Sequence, residues 1–228
     1  FIEHIAAHRI VDQIAQVPAG DLGDRFAETA LGQNCRVGLA GGPAAFAGGR
    51  NADREPGARV IIHHFQQFFS GANSPGTLTP RKLVRILAER GHEVHVVAGD
   101  FNAYSEQTEP AESVATARGG RMEIHRLPTA RGMRRGLRAR LDTYLGYALR
   151  ARRHAPTLPR PDVVLGSIQP LFAGLVAQRH ARRQRAPMLL EIRDLWPDAL
   201  VVKGAISPWQ AWPLHRMANS LYAGADRI

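Results

Sequence analysis

Short apolar runs rich in β-branched residues alternate with amphipathic stretches along residues 59–228. Such runs are typical of strands buried on both faces of a parallel sheet. They predict five strands: Arg59–Phe65, Glu93–Ala98, Met122–Leu127, Asp162–Ile168 and Met188–Ile192. Apolar residues at helical spacing predict four helices: Arg81–Arg90, Arg131–His154, Pro170–Arg185 and Trp209–Ala223. The polar stretch Asp100–Gly120 has no clear period, which predicts a long, mobile loop.

Turn signals define the boundaries of the first strand–helix–strand unit. Thr79 is a favoured N-cap, Pro80 suits a first helical turn, and Gly91 suits the left-handed position that ends a helix. Helices between consecutive parallel strands form right-handed crossovers. The pattern therefore predicts an α/β fold with a doubly wound, mainly parallel sheet over residues 58–228.

Polar residues follow the last two predicted strands. Gln169 follows the fourth strand, and Arg193, Asp194 and Trp196 follow the fifth. Because ligands of open parallel sheets bind at the carboxyl ends of the strands, we expect Gln169 and the Arg193–Asp194 pair at one crevice. A guanidinium there binds a phosphate or sugar hydroxyl, and Asp194 is the nearest group to accept a proton. The alternatives are an ion pair that caps the strand, and a Trp196 that packs instead of stacking on a sugar.

A glycine-containing loop precedes the first predicted helix. Gly71, Gly76 and Thr77 lie in this loop, and Thr79 and Arg81 lie at the start of the helix. Backbone N–H groups and a helix N-terminus in this arrangement bind an anion, although a connecting loop is the alternative interpretation. The spacing matches neither G-x-G-x-x-G nor a P-loop, so we expect no independent nucleotide binding.

The chain is basic, with a net charge of +10 and fifteen arginines between residues 121 and 185. Such a charge attracts polyanions or an anionic membrane surface, while a solvated surface is the simpler alternative. The predicted helix Arg131–His154 is both basic and amphipathic, so it either docks on a membrane or covers the sheet. No nucleic-acid-binding motif occurs, and we expect no nucleic acid partner.

Several classes of site are not expected from the sequence. One cysteine, Cys35, excludes an internal disulfide and any zinc site built on cysteines. The histidines lack the helical i, i+4 spacing of a metal-binding motif, so we expect no metal. No apolar run is long enough to span a bilayer. Residues 1–57 are rich in Gly, Ala and Arg without a period, and we interpret them as a leader of uncertain order.

The run PDVVLGSIQPLFAGLVA, followed by LEIRDLWPDALV, resembles the amino-terminal half of bacterial family 4 glycosyltransferases. The likeness extends in order from about Arg59 to Ile228, and the branch that adds amino sugars to lipid-linked O-antigen or capsule precursors is the most similar. The resemblance implies a Rossmann-like domain, the acceptor-binding half of a GT-B fold. It places Gly71, Gly76 and Thr77 against the donor phosphates, and Thr79, Arg81, Gln169 and Trp196 on the acceptor side.

The family resemblance also implies an activity for the intact enzyme. Members of this family transfer a sugar from a nucleotide-diphosphate sugar with retention of configuration and without a required metal or cofactor. The acceptor would be a lipid-diphosphate-linked saccharide at the inner face of the cytoplasmic membrane. Donor-binding residues lie in a carboxy-terminal domain that we expect beyond Ile228, so this chain alone should be inactive. The alternative is a basic, non-catalytic module that binds anionic membrane or nucleic acid.

Overall fold

The central strand of the sheet is β1 (Ile61–Phe65), in which all residues after the first are buried. The computed structural model describes residues 59–76, 79–131, 135–193 and 195–228. The leader predicted over residues 1–57 lies outside the described residues, and so do the candidate site residues Thr77 and Asp194.

The described residues form one mixed sheet with helices on both faces. The strands after β1 are β2 (Glu93–Gly99), β3 (Glu112–Ala115), β4 (Arg121–Leu127), β5 (Val163–Ser167) and β6 (Met188–Glu191). The helices are α1 (Thr79–Glu89), α2 (Leu137–His154), α3 (Leu171–Gln184), α4 (Asp198–Val202) and α5 (Pro208–Ala223). A short 3-10 turn, Ala155–Thr157, follows α2.

The strand order is β3-β4-β2-β1-β5-β6, and all neighbouring pairs are parallel except β3 with β4. The chain moves outward from β1 to β2 and β4, then returns to pair β5 with the other side of β1. Right-handed crossovers therefore place α1 on one face and α2 and α3 on the other. This topology confirms the predicted α/β, Rossmann-like doubly wound sheet. The predicted parallel strands and the four longer helices are present, with ends shifted by a few residues.

The face of the sheet under α2 and α3 carries the main apolar core. Phe65 of β1, Val97 of β2 and Leu127 of β4 are buried in it, together with Tyr147 of α2. The Tyr147 hydroxyl donates a hydrogen bond to the Val97 carbonyl at 2.7 Å. This bond satisfies the only polar group of a fully buried ring and fixes α2 on the sheet.

Histidines line the other half of the same face. Side chains two positions apart in a strand lie on the same face. The three histidines precede Phe65, Val97 and Leu127 by two positions in their strands, and they are His63, His95 and His125. His180 of α3 stacks on His63 with ring centroids 5.2 Å apart, and the ring of His154 lies 5.0 Å from that of His125. The amino-terminal half of this face is therefore polar where the carboxyl half is apolar.

The prediction of one long loop over Asp100–Gly120 is wrong. The stretch contains β3, which pairs antiparallel with β4, and an isolated bridge joins Phe101 to Thr108. β3 is an edge strand with one partner, and three of its four residues are exposed. A strand of this kind needs no apolar face, so its sequence lacks the alternation that indicates a strand.

The apolar stripe predicted along the second helix is not the face that packs on the sheet. Thr143, Tyr147 and Ala151 are buried, whereas a leucine stripe is 39%, 46% and 53% exposed at Leu141, Leu145 and Leu149. The helix thus covers the sheet with one face and presents leucines on another. None of the described helices combines the length and the apolarity that crossing a bilayer requires.

We predict that Gly120→Ala destabilises the fold. A Cβ at Gly120 would collide with the Ala88 carbonyl oxygen and lie 2.7 Å from the His92 carbonyl oxygen. Both obstacles are backbone atoms, so the free energy of unfolding should fall by about 2–3 kcal/mol in urea titrations. Gly146→Ala is the control, because its Cβ would meet only the flexible Arg150 side chain at 3.1 Å. That change should stabilise α2 by roughly 0.5–1 kcal/mol, and equal effects would contradict the prediction.

Candidate functional site

The candidate site lies where the strand order reverses, at the carboxyl ends of β1, β5 and β6. In open α/β sheets this reversal separates two neighbouring loops and leaves a crevice between them. The loop after β1 covers residues 66–76, the loop after β5 contains Gln169, and the segment after β6 begins with Ile192 and Arg193. The fold therefore places Gln169 and Arg193 on adjacent strand ends, as the sequence predicted.

The start of the loop after β1 is fixed to the neighbouring strand and to α2. The Gln66 N–H donates to the Val97 carbonyl at 3.2 Å, and the Gly99 N–H donates to the Gln67 carbonyl at 2.8 Å. The Gln67 amide donates to the Thr143 carbonyl at 3.2 Å. The Oε1 atoms of Gln66 and Gln67 are buried and accept no hydrogen bond from the described residues.

The glycine segment of this loop is bonded to a carboxylate of the chain itself. Glu109 accepts hydrogen bonds from the Gly71 N–H and the Ser74 side chain, and from the Asn102 amide at 3.0 Å. Burial raises the pKa of Glu109, but these bonds and the charge of Arg126 together lower it below its ordinary value. The carboxylate thus stays ionised and occupies the Gly71 amide, which the sequence had suggested for an anionic ligand. Contact of Gly71 with a donor phosphate stays a prediction.

The remaining residues of the predicted anion site lie as follows. Gly76 has φ +132°, and a Cβ there would lie 2.5 Å from Ser70 Oγ, so the turn favours glycine. Thr79 is the first residue of α1. Arg81 forms a two-point ion pair with Glu112 of β3, one bond being 3.0 Å. The pair directs this guanidinium toward the edge strand, and its acceptor role stays a prediction.

Arg193 lies among buried ionisable groups. Its Nε is 4.0 Å from Glu191 Oε1, and its charge adds to the burial that lowers the pKa of His64 to about 3. Burial raises the pKa of Glu191, and the positive charge of Arg193 partly offsets this effect. Glu191 Oε2 and both ring nitrogens of His64 are buried and have no hydrogen-bond partner among the described residues.

This arrangement combines a cation with two groups that have unused hydrogen-bond acceptor atoms among the described residues. His64 is neutral at neutral pH, so its ring has an unprotonated nitrogen. A guanidinium beside these groups binds a phosphate or a sugar hydroxyl. Neither His64 nor Glu191 was among the site residues predicted from the sequence. The available signal was a single carboxylate at the end of an otherwise apolar strand.

The predicted aromatic contact is part of the core in this structure. Trp196 is partly buried and packs against the apolar cluster under α2 and α3. This is the packing alternative that the sequence left open, and a sugar contact stays a prediction. Gln169 is partly buried beside Ser167, which is fully buried at the end of β5.

Comparison with known proteins is consistent with this geometry. Residues 76–228, more than half of the chain, match the family described as glycosyl transferase 4-like domain. A search of curated proteins found no match. The matched range includes the helix after the glycine loop, both strand-end segments, Glu191 and Arg193, whereas His64 lies before it.

We predict that His64→Leu reduces the acid sensitivity of the fold. The pKa of His64 is about 3 in the folded chain and about 6.5 when unfolded. Between these values only the unfolded chain binds the proton, so stability falls as pH falls. The wild type should therefore lose about 2 kcal/mol more than the variant between pH 7 and pH 5 in urea titrations.

Phe69→Leu is the matched control for this measurement. Phe69 contacts the His64 ring edge-on, with centroids 6.3 Å apart, and does not titrate. Its replacement should lower stability by about 1 kcal/mol at every pH, because it removes buried apolar volume. Identical pH dependence of wild type and His64→Leu would contradict the assignment of a neutral, buried imidazole.

Proposed function

Because this chain belongs to the glycosyl transferase 4-like domain family, we propose that it is the acceptor-binding half of a retaining glycosyltransferase. The transferred sugar would come from a nucleotide-diphosphate sugar, and the acceptor would be a lipid-diphosphate-linked saccharide in cell-surface polysaccharide synthesis. The observation that supports this most directly is the Arg193, Glu191 and His64 cluster at the sheet reversal, within and beside the matched range. Nucleotide-sugar binding is assigned to a second domain, as the resemblance implies.

Each group at the strand ends has a proposed role. Arg193 binds a phosphate oxygen or hydroxyl of the acceptor with its two-pronged guanidinium. Asp194, the next residue in the chain, orients the acceptor hydroxyl and takes its proton. Glu191 holds Arg193 in place from the end of β6. Gln169 contributes an amide from the neighbouring strand end.

Direct support would come from a transfer assay with the protein encoded by the whole reading frame. The purified protein is incubated with membrane lipid extract and a panel of radiolabelled nucleotide sugars. Label should move to the lipid fraction from one of them, and NMR of the released glycan should show the anomeric configuration of the donor. No transfer from any nucleotide sugar would contradict the proposal.

We predict that Arg193→Met lowers kcat/KM for transfer by at least about 100-fold, because a charge-assisted contact to the acceptor is lost. Arg193→Lys should still lower it by about tenfold, since an ammonium cannot make the bidentate contact. Arg118→Met, at an exposed position of the turn between β3 and β4, is the control and should transfer normally. Normal transfer by Arg193→Met would exclude the acceptor role.

We also propose that α2 docks the enzyme at the cytoplasmic membrane surface. Its leucine stripe is exposed, and arginines flank it at Arg138, Arg140, Arg150, Arg152 and Arg153. Next to it, Phe172, Leu175 and Val176 of α3 line an apolar groove whose other lining includes Arg179 and Arg183. An apolar surface with a cationic border is suited to an anionic lipid leaflet. Membrane docking would also explain the basic charge of the chain. The alternative interpretation of that charge is a non-catalytic module that binds polyanions.

We predict that Leu145→Ser combined with Leu149→Ser weakens binding to anionic vesicles by at least about tenfold, since two apolar side chains no longer enter the interface. Co-sedimentation with phosphatidylcholine–phosphatidylglycerol vesicles measures this, and pure phosphatidylcholine tests the charge contribution. Val114→Ser on the edge strand is the control, because Val114 is 44% exposed but lies outside α2 and its leucine stripe. Equal loss in both variants would contradict docking through α2.

A further inference from the structure

Three candidate metal ligands converge on the histidine-lined half of the sheet face under α2 and α3. His95 lies on β2, while Glu123 and His125 lie on β4. Strand pairing places His95 opposite Glu123, and His125 is two positions further along on the same face. His95 Nδ1 is 3.1 Å from His125 Nε2 and 3.5 Å from Glu123 Oε2. All three ligand atoms lie within 4.8 Å of one another.

The contacts of His95 Nδ1 with His125 Nε2 and with the Glu123 carboxylate bring together more hydrogen-bond acceptors than donors. His95 Nε2 lies 3.1 Å from Glu93 Oε1, and an ionised carboxylate only accepts hydrogen bonds, so Nε2 carries the proton. In the tautomer with the proton on Nε2, Nδ1 carries a lone pair that faces both His125 Nε2 and the Glu123 carboxylate. The His125 proton can serve one of these acceptors. A cation between the three atoms would satisfy all of them.

The distances fit the coordination sphere of a small divalent ion. Ligand atoms bound about 2.0–2.1 Å from Zn²⁺ at tetrahedral angles are roughly 3.3 Å apart. The measured separations of 3.1 and 3.5 Å bracket this value. Glu93, itself paired with Arg59, supplies the carboxylate that orients a metal-binding imidazole through its other nitrogen.

Access from solvent also suits metal binding. The Glu123 side chain is 33% exposed, whereas that of His95 is 3% exposed. The cluster is therefore buried on the β2 side and open to solvent on the β4 side.

We propose that His95, Glu123 and His125 form a binding site for a divalent transition-metal ion, with water at the open position. Two imidazoles and one carboxylate favour Zn²⁺ or a similar first-row ion over Mg²⁺ and Ca²⁺, which prefer oxygen ligands. The ion would join β2 to β4 toward the amino-terminal ends of these strands, whereas the candidate crevice lies at the carboxyl ends. Its role is therefore structural and independent of the proposed transfer reaction.

The test uses the tag-free full chain, stripped with a chelator, with Zn²⁺ as the probe. Equilibrium dialysis should show one tightly bound Zn²⁺ per chain at neutral pH, and Co²⁺ should give the visible absorption of a tetrahedral site. Zn²⁺ at 100 times its Kd should shift the unfolding equilibrium about 100-fold toward the folded state. Absence of both binding and stabilisation would overturn the proposal.

Variants separate this site from adventitious histidine binding. Glu123→Gln and His125→Asn should each weaken Zn²⁺ binding by about 100-fold or more, and Glu93→Gln, which alters only the orienting partner, by about 10–100-fold. His215→Asn on α5, 41% exposed and remote in sequence, should bind Zn²⁺ as the wild type does. Each variant is first shown to unfold cooperatively in chelator. Wild-type affinity in both Glu123→Gln and His125→Asn would overturn the assignment.

Discussion

The pairing of β1 with β2 on one side and β5 on the other is the constraint on which the remaining structure depends. A parallel strand with two partners has both faces and both edges buried, so each of its side chains must fit its surroundings. Because the chain crosses back at β1, the loops after β1 and β5 diverge and leave a crevice between them. Arg193, after the end of β6, and His64, near the end of β1, lie at this crevice. The groups of the candidate site come from separate segments of the sequence, and the order of the strands brings them together.

Buried ionisable groups are tolerated in this fold only where a partner or a neutral state compensates for lost hydration. Glu109 remains charged because a backbone amide, two side chains and a nearby guanidinium replace water around it. The His64 ring nitrogens have no hydrogen-bond partner among the described residues, and burial together with the charge of Arg193 keeps the ring neutral. Glu191 lies between these extremes, because burial raises its pKa while Arg193 opposes the rise. The glycine loop takes part in this compensation, because its Gly71 amide donates a hydrogen bond to the Glu109 carboxylate.

The parallel strands and long helices were predictable because their signals are local. Apolar runs, proline and glycine boundaries and helical spacing each occupy fewer than twenty consecutive residues. β3 was missed because an exposed edge strand has no apolar face. The leucine stripe on α2 was misleading because Thr143, Tyr147 and Ala151, on another face of the helix, are the residues that pack on the sheet. The position of Arg193 just beyond the end of β6 was predictable from the sequence, and its role in binding a ligand stays a prediction. The bonds of Glu109 to the glycine loop and the 3.5 Å approach of Glu123 to His95 join residues about thirty or more positions apart, and only the folded structure reveals them.

The register of β2 and β4 determines both the apolar half and the histidine-lined half of the sheet face under α2 and α3. In β2 and β4, one face presents histidine and glutamate near the amino ends and Val97 and Leu127 near the carboxyl ends. A slip of one residue between these strands would turn one strand's entire set toward the opposite face. It would remove an apolar residue from the core under α2 and separate His95 from Glu123 at the same time. The apolar residues of this face therefore fix the register of β2 and β4. That register holds His95, Glu123 and His125 within a few ångströms of one another, because a shifted register would disrupt the apolar core.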